Sequence, residues 1–133
     1  MKIRLFTADD YNEVCSWWMS HNEPVPPKEL ISDYTYILET ADGVPWICLS
    51  LITFNVPWIA WSAGLVSNPK VGSPGRKAAV KTLWDYVADM AKSMGYQNLL
   101  CVAPNEKLEA RYKDLGFKVT KQNQTFLVKE LGG

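Results

Sequence analysis

Few residues of this chain could bind a metal ion or form a disulfide framework. The 133 residues include three cysteines, Cys15, Cys48 and Cys101, and one histidine, His21. No two cysteines form a CxxC pair, which excludes the usual zinc motifs. Each cysteine lies among apolar residues, as buried free thiols do. The sequence therefore predicts no metal site, and a Cys–His nucleophilic pair using His21 stays open as an alternative.

Long apolar runs are also missing from the sequence. The longest, residues 47–52 and 59–66, have the length of β-strands, whereas a membrane-spanning helix needs about 20 apolar residues. The first ten residues become acidic at Asp9 and Asp10 before the apolar core of a signal peptide could form. We therefore expect a cytoplasmic protein that does not contact a membrane.

The chain has no excess of charge of either sign. Its 14 Lys and Arg residues balance 14 Asp and Glu residues, which argues against a nucleic-acid-binding surface. The charges are nevertheless unevenly distributed along the chain. Residues 1–69 hold three basic and eight acidic groups, a formal −5, and residues 70–133 hold eleven basic and six acidic groups, a formal +5. This split suggests that the second half binds an anion and the first half a cation, with chance segregation of solvated charges as the alternative.

Length and residue pattern together predict one α+β domain over residues 1–133. Domains cluster near 100–150 residues, and a hydrophobic fraction of 47% excludes a disordered chain. Two tight turns predict an antiparallel meander, and a strand–helix–strand order beyond it predicts a parallel β-α-β crossover. We expect a mixed, mostly antiparallel sheet of about six to seven strands flanked by about four helices. The predicted strands span residues 2–5, 34–40, 44–54, 58–67, 98–103, 118–121 and 125–130, and the predicted helices span residues 8–19, 28–32, 74–94 and 105–115.

The segment before the third predicted helix carries basic residues where helices usually carry acidic ones. Ser73 is a suitable N-cap, and Pro74 suits the first helical position. Arg76 and Lys77 then lie at the positive end of the helix dipole, which costs about 0.3–1 kcal/mol for each uncompensated charge. An anion bound by the exposed N–H groups would remove this conflict. A plain turn with both cations in solvent is the alternative.

Two segments carry motifs that point to one family. A strand ending in Leu65 and Val66 leads through Asn-Pro and a glycine-rich basic loop into a long helix. Farther along, an asparagine is followed seven residues later by Tyr112 and then by Gly116-Phe117. Together these segments resemble the GNAT superfamily, the acyl-CoA-dependent N-acyltransferases. Of the family's loop pattern Arg/Gln-x-x-Gly-x-Gly/Ala only the central glycine is present, whereas the second motif has the family's spacing throughout.

The resemblance implies a GNAT-like fold in which the fourth and fifth strands splay apart around acetyl-CoA. By that resemblance, the backbone of Leu65 and Val66 and the side chain of Asn105 bind the pantetheine arm. Tyr112 would act as the general acid that protonates the departing thiolate; a half-buried structural tyrosine is the alternative. The pyrophosphate would lie on the segment that contains Val71, Gly72, Ser73, Gly75, Arg76 and Lys77.

The general base is not identified by the sequence. Members of the family often carry a glutamate on the fourth strand, but residues 58–66 contain no acid. His21, Glu23 and Glu39 are the remaining candidates, and a histidine suits neutral pH best. A solvated loop histidine is the alternative for His21. Three tryptophans could either line an acceptor pocket or belong to the core, namely Trp46, Trp58 and Trp61.

The sequence thus predicts an N-acetyltransferase that moves an acetyl group from acetyl-CoA to a primary amine by direct attack in a ternary complex. The acidic first half favours a cationic acceptor, such as a polyamine, a lysine side chain or a protein N-terminus. A homodimer is left open. The alternative is a non-catalytic GNAT-like module with a structural or interaction role, which the reduced loop motif and the missing acid would favour.

Overall fold

The computed structural model describes residues 1–55, 57–103, 105–120, 127 and 129–132. The chain divides into two units, Met1–Val102 and Ala103–Gly133, and each is described by itself. A five-stranded sheet in the order β1-β2-β3-β4-β5 lies in the first unit. The elements are β1 (Lys2–Leu5), α1 (Tyr11–Ser20), β2 (Tyr34–Glu39), β3 (Pro45–Ile52), β4 (Ala60–Ser67), α2 (Arg76–Ser93), β5 (Leu99–Leu100) and α3 (Glu106–Asp114).

The sheet is antiparallel except at its last pair. β1, β2, β3 and β4 pair in antiparallel order, and β4 pairs with β5 in parallel across α2. The predicted meander and the β-α-β crossover are therefore confirmed. The alternation of side chains across these strands gives the sheet two apolar faces, one under α1 and one under α2.

The predicted numbers of strands and helices were too high for the described residues, which contain five strands and three α-helices. The short helical turn predicted at residues 28–32 is a 3₁₀ turn over Lys28–Leu30, and it ends because Ile31 after it is extended. β5 has only two residues because its pairing with β4 is limited to two positions. The predicted final hairpin lies largely outside the described residues, and residues 118–120 do not form a strand.

Each face of the sheet is covered by one helix. Val14, Trp17 and Trp18 of α1 pack in one cluster with Ile37, Cys48 and Val66 of the sheet. On the opposite face, the ring of Tyr36 contacts Tyr86 of α2 at 5.1 Å between centroids. Burial of each large apolar side chain contributes roughly 1.5–3 kcal/mol. The sheet is therefore packed between α1 on one face and α2 on the other. None of the described helices is both long and apolar enough to span a bilayer.

Candidate cofactor-binding site

A β-bulge bends β4 in its middle. Val66 lies opposite Cys48 and Ala63 opposite Ser50, so two residues of β4 face the single residue Leu49. The first of these two is Gly64, whose φ of +73° is in the left-handed region. A glycine in this region is typical of one bulge type, which increases the local twist and bends the strand. The bulge explains how β4 turns away from a regular ladder.

Most of one edge of β4 is unpaired in the described part of the chain. Only Ala60 and Trp61, at its beginning, pair with β5. The backbone N–H of Asn68 donates to the carbonyl of Trp46 in β3 at 2.7 Å. In a trans peptide the preceding carbonyl points the opposite way, so the Ser67 carbonyl lies on the edge that faces away from β3. An extended ligand could therefore pair with β4 between Ser62 and Ser67, the stretch that includes the predicted residues Leu65 and Val66.

The ring of His21 lies at the end of this free edge. Its Nε2 is 3.2 Å from the carbonyl oxygen of Ser67. A carbonyl oxygen can only accept, so a neutral His21 carries its proton on Nε2 and its lone pair on Nδ1. His21 itself follows the last turn of α1, where its N–H bonds to the carbonyls of Trp17 and Trp18. Any proton that His21 accepts must therefore bind Nδ1.

Asn68 organises the loop that follows β4. Its side chain is buried and donates to the Pro45 carbonyl at 2.9 Å, while its Oδ1 accepts the N–H of Lys70 at 3.0 Å. Its own carbonyl accepts the N–H of Val71 at 3.2 Å. The Val71 N–H predicted to bind pyrophosphate is thus already used inside the loop.

The start of α2 differs from the prediction. The N-cap is Gly75 with φ +79°, not Ser73, and no side chain caps the helix. Because the Gly75 backbone is left-handed, Pro74 cannot be the first helical residue, and the helix begins at Arg76. Within the described residues, several backbone N–H groups at this point have no acceptor, namely those of Gly72, Ser73, Gly75, Lys77 and Ala78.

The two cations at the start of α2 have different surroundings. Arg76 folds back, and its Nη2 donates to the Val71 carbonyl at 3.3 Å. Its Nε is buried with no acceptor among the described residues. Lys77 is exposed. Beneath them, Trp46 is buried and its Cη2 lies 3.6 Å from where a Cβ of residue 75 would be. Arg76 therefore braces the loop, and Lys77 is free to meet a ligand.

The other two candidates for the general base lie in different surroundings. Glu39 on β2 accepts from Nε of Arg4 at 2.8 Å, so taking up a proton would break this ion pair. Glu23 is exposed, and its N–H bonds to the Trp18 carbonyl at 2.9 Å. His21 is the candidate that contacts β4.

Two further sequence hypotheses concern aromatic side chains and thiols. Trp46 belongs to the core, whereas Trp58 is 56% exposed and Trp61 is half-buried.

Burial raises the pKa of the Cys48 thiol to about 12 and that of Cys101 to about 11, so neither forms a thiolate readily at neutral pH. No group of three His, Cys, Asp or Glu side chains that could hold a metal occurs among the described residues.

Asn105 and Tyr112 lie in the second unit, at the two ends of α3. Oδ1 of Asn105 accepts the N–H of Leu108 at 2.9 Å as the helix N-cap. At the other end, the Phe117 N–H donates to the Tyr112 carbonyl at 3.1 Å and the Gly116 N–H to the Lys113 carbonyl at 3.0 Å. With Gly116 at φ +96°, this is a Schellman motif, and the rings of Tyr112 and Phe117 lie 5.9 Å apart. Both family-motif residues thus have local structural roles in addition to any role in binding.

Sequence reasoning missed Gly64 and Asn68 as site-forming residues. An isolated glycine within an otherwise regular strand pattern is a signal for a bulge. An asparagine directly before a proline is a signal for a turn that its side chain stabilises. Both signals are present in the sequence, but the contacts that give them a function are long-range.

Comparison with known proteins gives matches only at the level of structure. No family model matches the chain, and no curated protein matches its sequence. An acetyltransferase from Trypanosoma brucei superposes with a TM-score of 0.69 at 16% identity, over 96% of this chain and 99% of that one. Glucosamine-6-phosphate N-acetyltransferase from Arabidopsis thaliana gives a TM-score of 0.69 at 12% identity, over 96% and 98% of the two chains.

A third structure carries a bound cofactor. N-acetylglutamate synthase from Neisseria gonorrhoeae, complexed with coenzyme A and N-acetyl-glutamate, gives a TM-score of 0.66 at 19% identity. The match covers 84% of this chain and 27% of that longer one. These similarities, the parallel β4–β5 crossover and the antiparallel strands before it agree with the resemblance seen in the sequence. The chain has the fold of the GNAT acetyltransferases.

Proposed function

We propose that the chain is an N-acetyltransferase that uses acetyl-CoA and acetylates a primary amine by direct attack in a ternary complex. The observation that carries this proposal is the continuity of two features. The free edge of β4 runs directly into a loop and a helix start in which five backbone N–H groups lack acceptors among the described residues. Such an arrangement suits a ligand with an extended amide-containing arm and an anionic end, which is the chemistry of coenzyme A.

The residues of the first unit would divide the binding between them. The backbone of Leu65 and Val66 would pair with the pantetheine arm. The five N–H groups without acceptors among the described residues would bind the pyrophosphate, namely those of Gly72, Ser73, Gly75, Lys77 and Ala78. Lys77 would add a mobile positive charge, while Arg76 would hold the loop in shape through Val71. When bound, acetyl-CoA supplies an acetyl group activated as a thioester.

Two side chains are proposed to move protons. Tyr112 would donate its phenolic proton to the departing thiolate, since a positioned acid lowers the barrier for a poor leaving group. His21 would act as the general base at Nδ1, because its Nε2 already donates to Ser67 at the free edge. Asn105 would bind the pantetheine with its Nδ2 group, which remains available while Oδ1 caps α3.

A thermal-unfolding measurement with coenzyme A and acetyl-CoA tests the cofactor. A ligand at 100 times its Kd adds about 2.7 kcal/mol to the free energy of unfolding. We expect a concentration-dependent rise in Tm for both compounds and none for adenosine. Mass spectrometry of a panel of amines incubated with acetyl-CoA then detects transfer. If neither compound raises Tm, the cofactor proposal is wrong.

The charge split between the two halves favours a cationic acceptor. Residues 1–69 carry a formal −5, and their exposed acids include Glu13, Glu23 and Glu29. We expect spermidine and lysine esters to react faster than neutral amino-acid amides, and added salt to narrow the difference. A preference for neutral or acidic amines at low salt would contradict this assignment.

A non-catalytic GNAT-like module with a structural or interaction role is the second candidate. It is favoured by the absence of an acid on β4 and by the reduced loop motif. This function predicts either no binding of coenzyme A, or binding without transfer to any amine of the panel.

A further inference from the structure

The face of the sheet under α1 carries two neighbouring hydroxyl side chains beside its apolar cluster. Ile37, Cys48 and Val66 lie side by side on β2, β3 and β4 and are buried under α1. Thr35 on β2 and Ser50 on β3 lie two positions away from Ile37 and Cys48 and are paired with each other. Because side chains alternate along a strand, both point to the same side of the sheet as Ile37 and Cys48. Ala63 of β4 lies opposite Ser50 and extends the row by one residue without a hydroxyl. We call Thr35, Ser50 and Ala63 together the hydroxyl row.

Exposure increases along the hydroxyl row toward the free edge of β4. Thr35 is 1% exposed, Ser50 is half-buried, and Ala63 is exposed. Ala63 immediately precedes the bulge at Gly64, which is also exposed. A Cβ at residue 64 would lie 3.7 Å from Oγ of Ser50, and glycine provides none. The row therefore leads from the core to the surface beside the proposed cofactor edge.

The hydrogen bonds of the row have only one possible direction. Oγ1 of Thr35 is 2.8 Å from the Ser32 carbonyl oxygen. Because a carbonyl can only accept, the single hydroxyl proton of Thr35 is donated to it. The contact of 2.8 Å between Thr35 Oγ1 and Ser50 Oγ must then be donated by Ser50. Among the described residues, nothing donates to Ser50 Oγ. Thr35 thus holds the Ser50 hydroxyl with its free lone pairs directed away from β2.

We propose that Ser50, oriented by Thr35, accepts an N–H hydrogen bond from the acceptor amine. This inference rests on the proposed acetyltransferase function and adds the group that contacts the acceptor where β4 lacks an acid. A hydroxyl whose own proton is already donated can accept a hydrogen bond from an N–H group but cannot donate another. It therefore selects a donor such as an amine over a pure acceptor, and it orients the amine beside the free edge. Ser50 binds the acceptor, and Thr35 is a positioning residue.

The first experiment measures kinetics with acetyl-CoA and a panel of spermidine, lysine methyl ester and ethanolamine. We expect Ser50→Ala to raise the KM for the best amine about three- to tenfold, the effect of one lost neutral hydrogen bond, with the Kd for coenzyme A unchanged. Thr35→Val should change KM in the same direction because Ser50 then loses its orientation. Thr35→Ser retains the hydroxyl and should restore the parental KM.

Controls separate this inference from the proposed function. Ser93→Ala removes a hydroxyl that donates to the Met90 carbonyl at the far end of α2 and should leave KM unchanged. If the parent acetylates the panel and Ser50→Ala has the parental KM, the inference is overturned and the transferase proposal stands. If the parent binds coenzyme A but acetylates no amine, both fall. A loss of coenzyme A affinity in Ser50→Ala equal to the change in KM would also overturn the inference.

A second experiment does not depend on turnover. Ser50→Cys places a thiol at the same position, and 2-aminoethyl methanethiosulfonate is a thiol reagent that itself carries a primary amine. Mass spectrometry should show one adduct more than the parent, whose three native thiols set the background. Absence of the additional adduct in the folded variant would show that the row cannot be reached by an amine and would overturn the inference.

Discussion

α2 and α3 begin in opposite ways. α3 has a side-chain N-cap from Asn105, which accepts the N–H of Leu108, and acidic residues Glu106 and Glu109 in its first turn, so its own residues compensate its dipole. α2 has a left-handed glycine as N-cap, no side-chain cap and no acid in its first turn, and two cations follow. The difference shows that α3 has a capping side chain and acids at its start, whereas α2 has neither and leaves its dipole to be compensated by an external anion.

α1 provides a third helix start, which no side chain caps but which has an acid, Glu13, in its first turn. Asp10, directly before α1, accepts the N–H of Thr7 at 2.7 Å and two bonds from Arg4 at 2.8 and 2.9 Å. Its carboxylate therefore ties the helix start to β1. Of the three described helix starts, only that of α2 has basic residues and no acidic residue in its first turn.

The largest expected effect tests whether α3 serves catalysis as well as its own stability. Tyr112→Phe keeps the ring that contacts Phe117 in the Schellman motif but removes the phenolic proton. We expect kcat and kcat/KM to fall together by about 10²–10⁴-fold, as for a lost general acid, with Tm nearly unchanged. Steady-state kinetics and thermal unfolding measure the two quantities.

Tyr86→Phe is the matched control, because Tyr86 packs on Tyr36 and has no proposed catalytic role. A Tyr112→Phe variant with more than half of the parental kcat, where chemistry limits the rate, would make Tyr112 a packing residue only.

The second prediction tests the start of α2, where no side chain caps the helix. Arg76→Glu combined with Lys77→Glu should weaken coenzyme A binding by about 10- to 100-fold, since hydrogen bonds to charged groups contribute roughly 1.5–3 kcal/mol. The loss should be greater at low ionic strength. Without ligand, acids at the helix N-terminus should raise the Tm of the variant and loss of the Arg76 bond to the Val71 carbonyl should lower it, so we expect a Tm near the parental value. Isothermal titration calorimetry at two salt concentrations provides the measurement.

Lys81→Glu combined with Lys92→Glu changes the net charge of the same helix equally, away from its start, and serves as the control. Equal losses of affinity in the two double variants would mean that net charge, not the loop, controls binding.

The third prediction concerns the ion pair of Arg4 with Asp10 directly before α1 and depends on pH. Hydrogen bonding by Arg4 holds the pKa of Asp10 below its ordinary value of 3.8. A carboxyl with a lowered folded-state pKa stabilises the fold above its unfolded-state pKa, and this contribution disappears as pH falls through the folded-state pKa. Arg4→Met should lower the free energy of unfolding by about 1–3 kcal/mol at pH 7, and the difference from the parent should shrink as pH falls toward 2. Urea unfolding across this range measures it. A pH-independent difference would assign the loss to packing.

The prediction with the smallest expected effect concerns the Asn105 N-cap of α3. Asn105→Ala should lower the stability of α3 by about 0.5–2 kcal/mol, the usual cost of a lost N-cap. Asn105→Asp keeps the capping oxygen but removes the amide donor, so it should retain Tm and weaken coenzyme A binding. Hydrogen exchange of the Leu108 amide and calorimetry separate the two effects. Unchanged affinity in Asn105→Asp would limit Asn105 to capping.

Much of the fold could be predicted because its signals are local. Gly95 and Gly116 end α2 and α3 with φ of +93° and +96°, as their positions after a helical pattern predicted. The meander was predicted from tight turns, and the crossover from element order, since both depend on residues close in sequence. The start of α2 was mispredicted for the same reason. Ser73 has a capping side chain, but the left-handed Gly75, packed on Trp46 of β3, decides where the helix begins.

The sequence by itself determined the α+β fold class, the order of the five described strands and the C-terminal ends of α2 and α3, because caps, turns and periodicity involve residues within a few positions of one another. Tertiary structure alone decided the candidate site. The contact of His21 with Ser67 spans 46 residues, the ion pair of Arg4 with Glu39 spans 35, and the hydroxyl row joins three strands. Such contacts depend on strand register and on the bulge at Gly64. A shift of one residue in that register would turn every side chain of a strand to the other face.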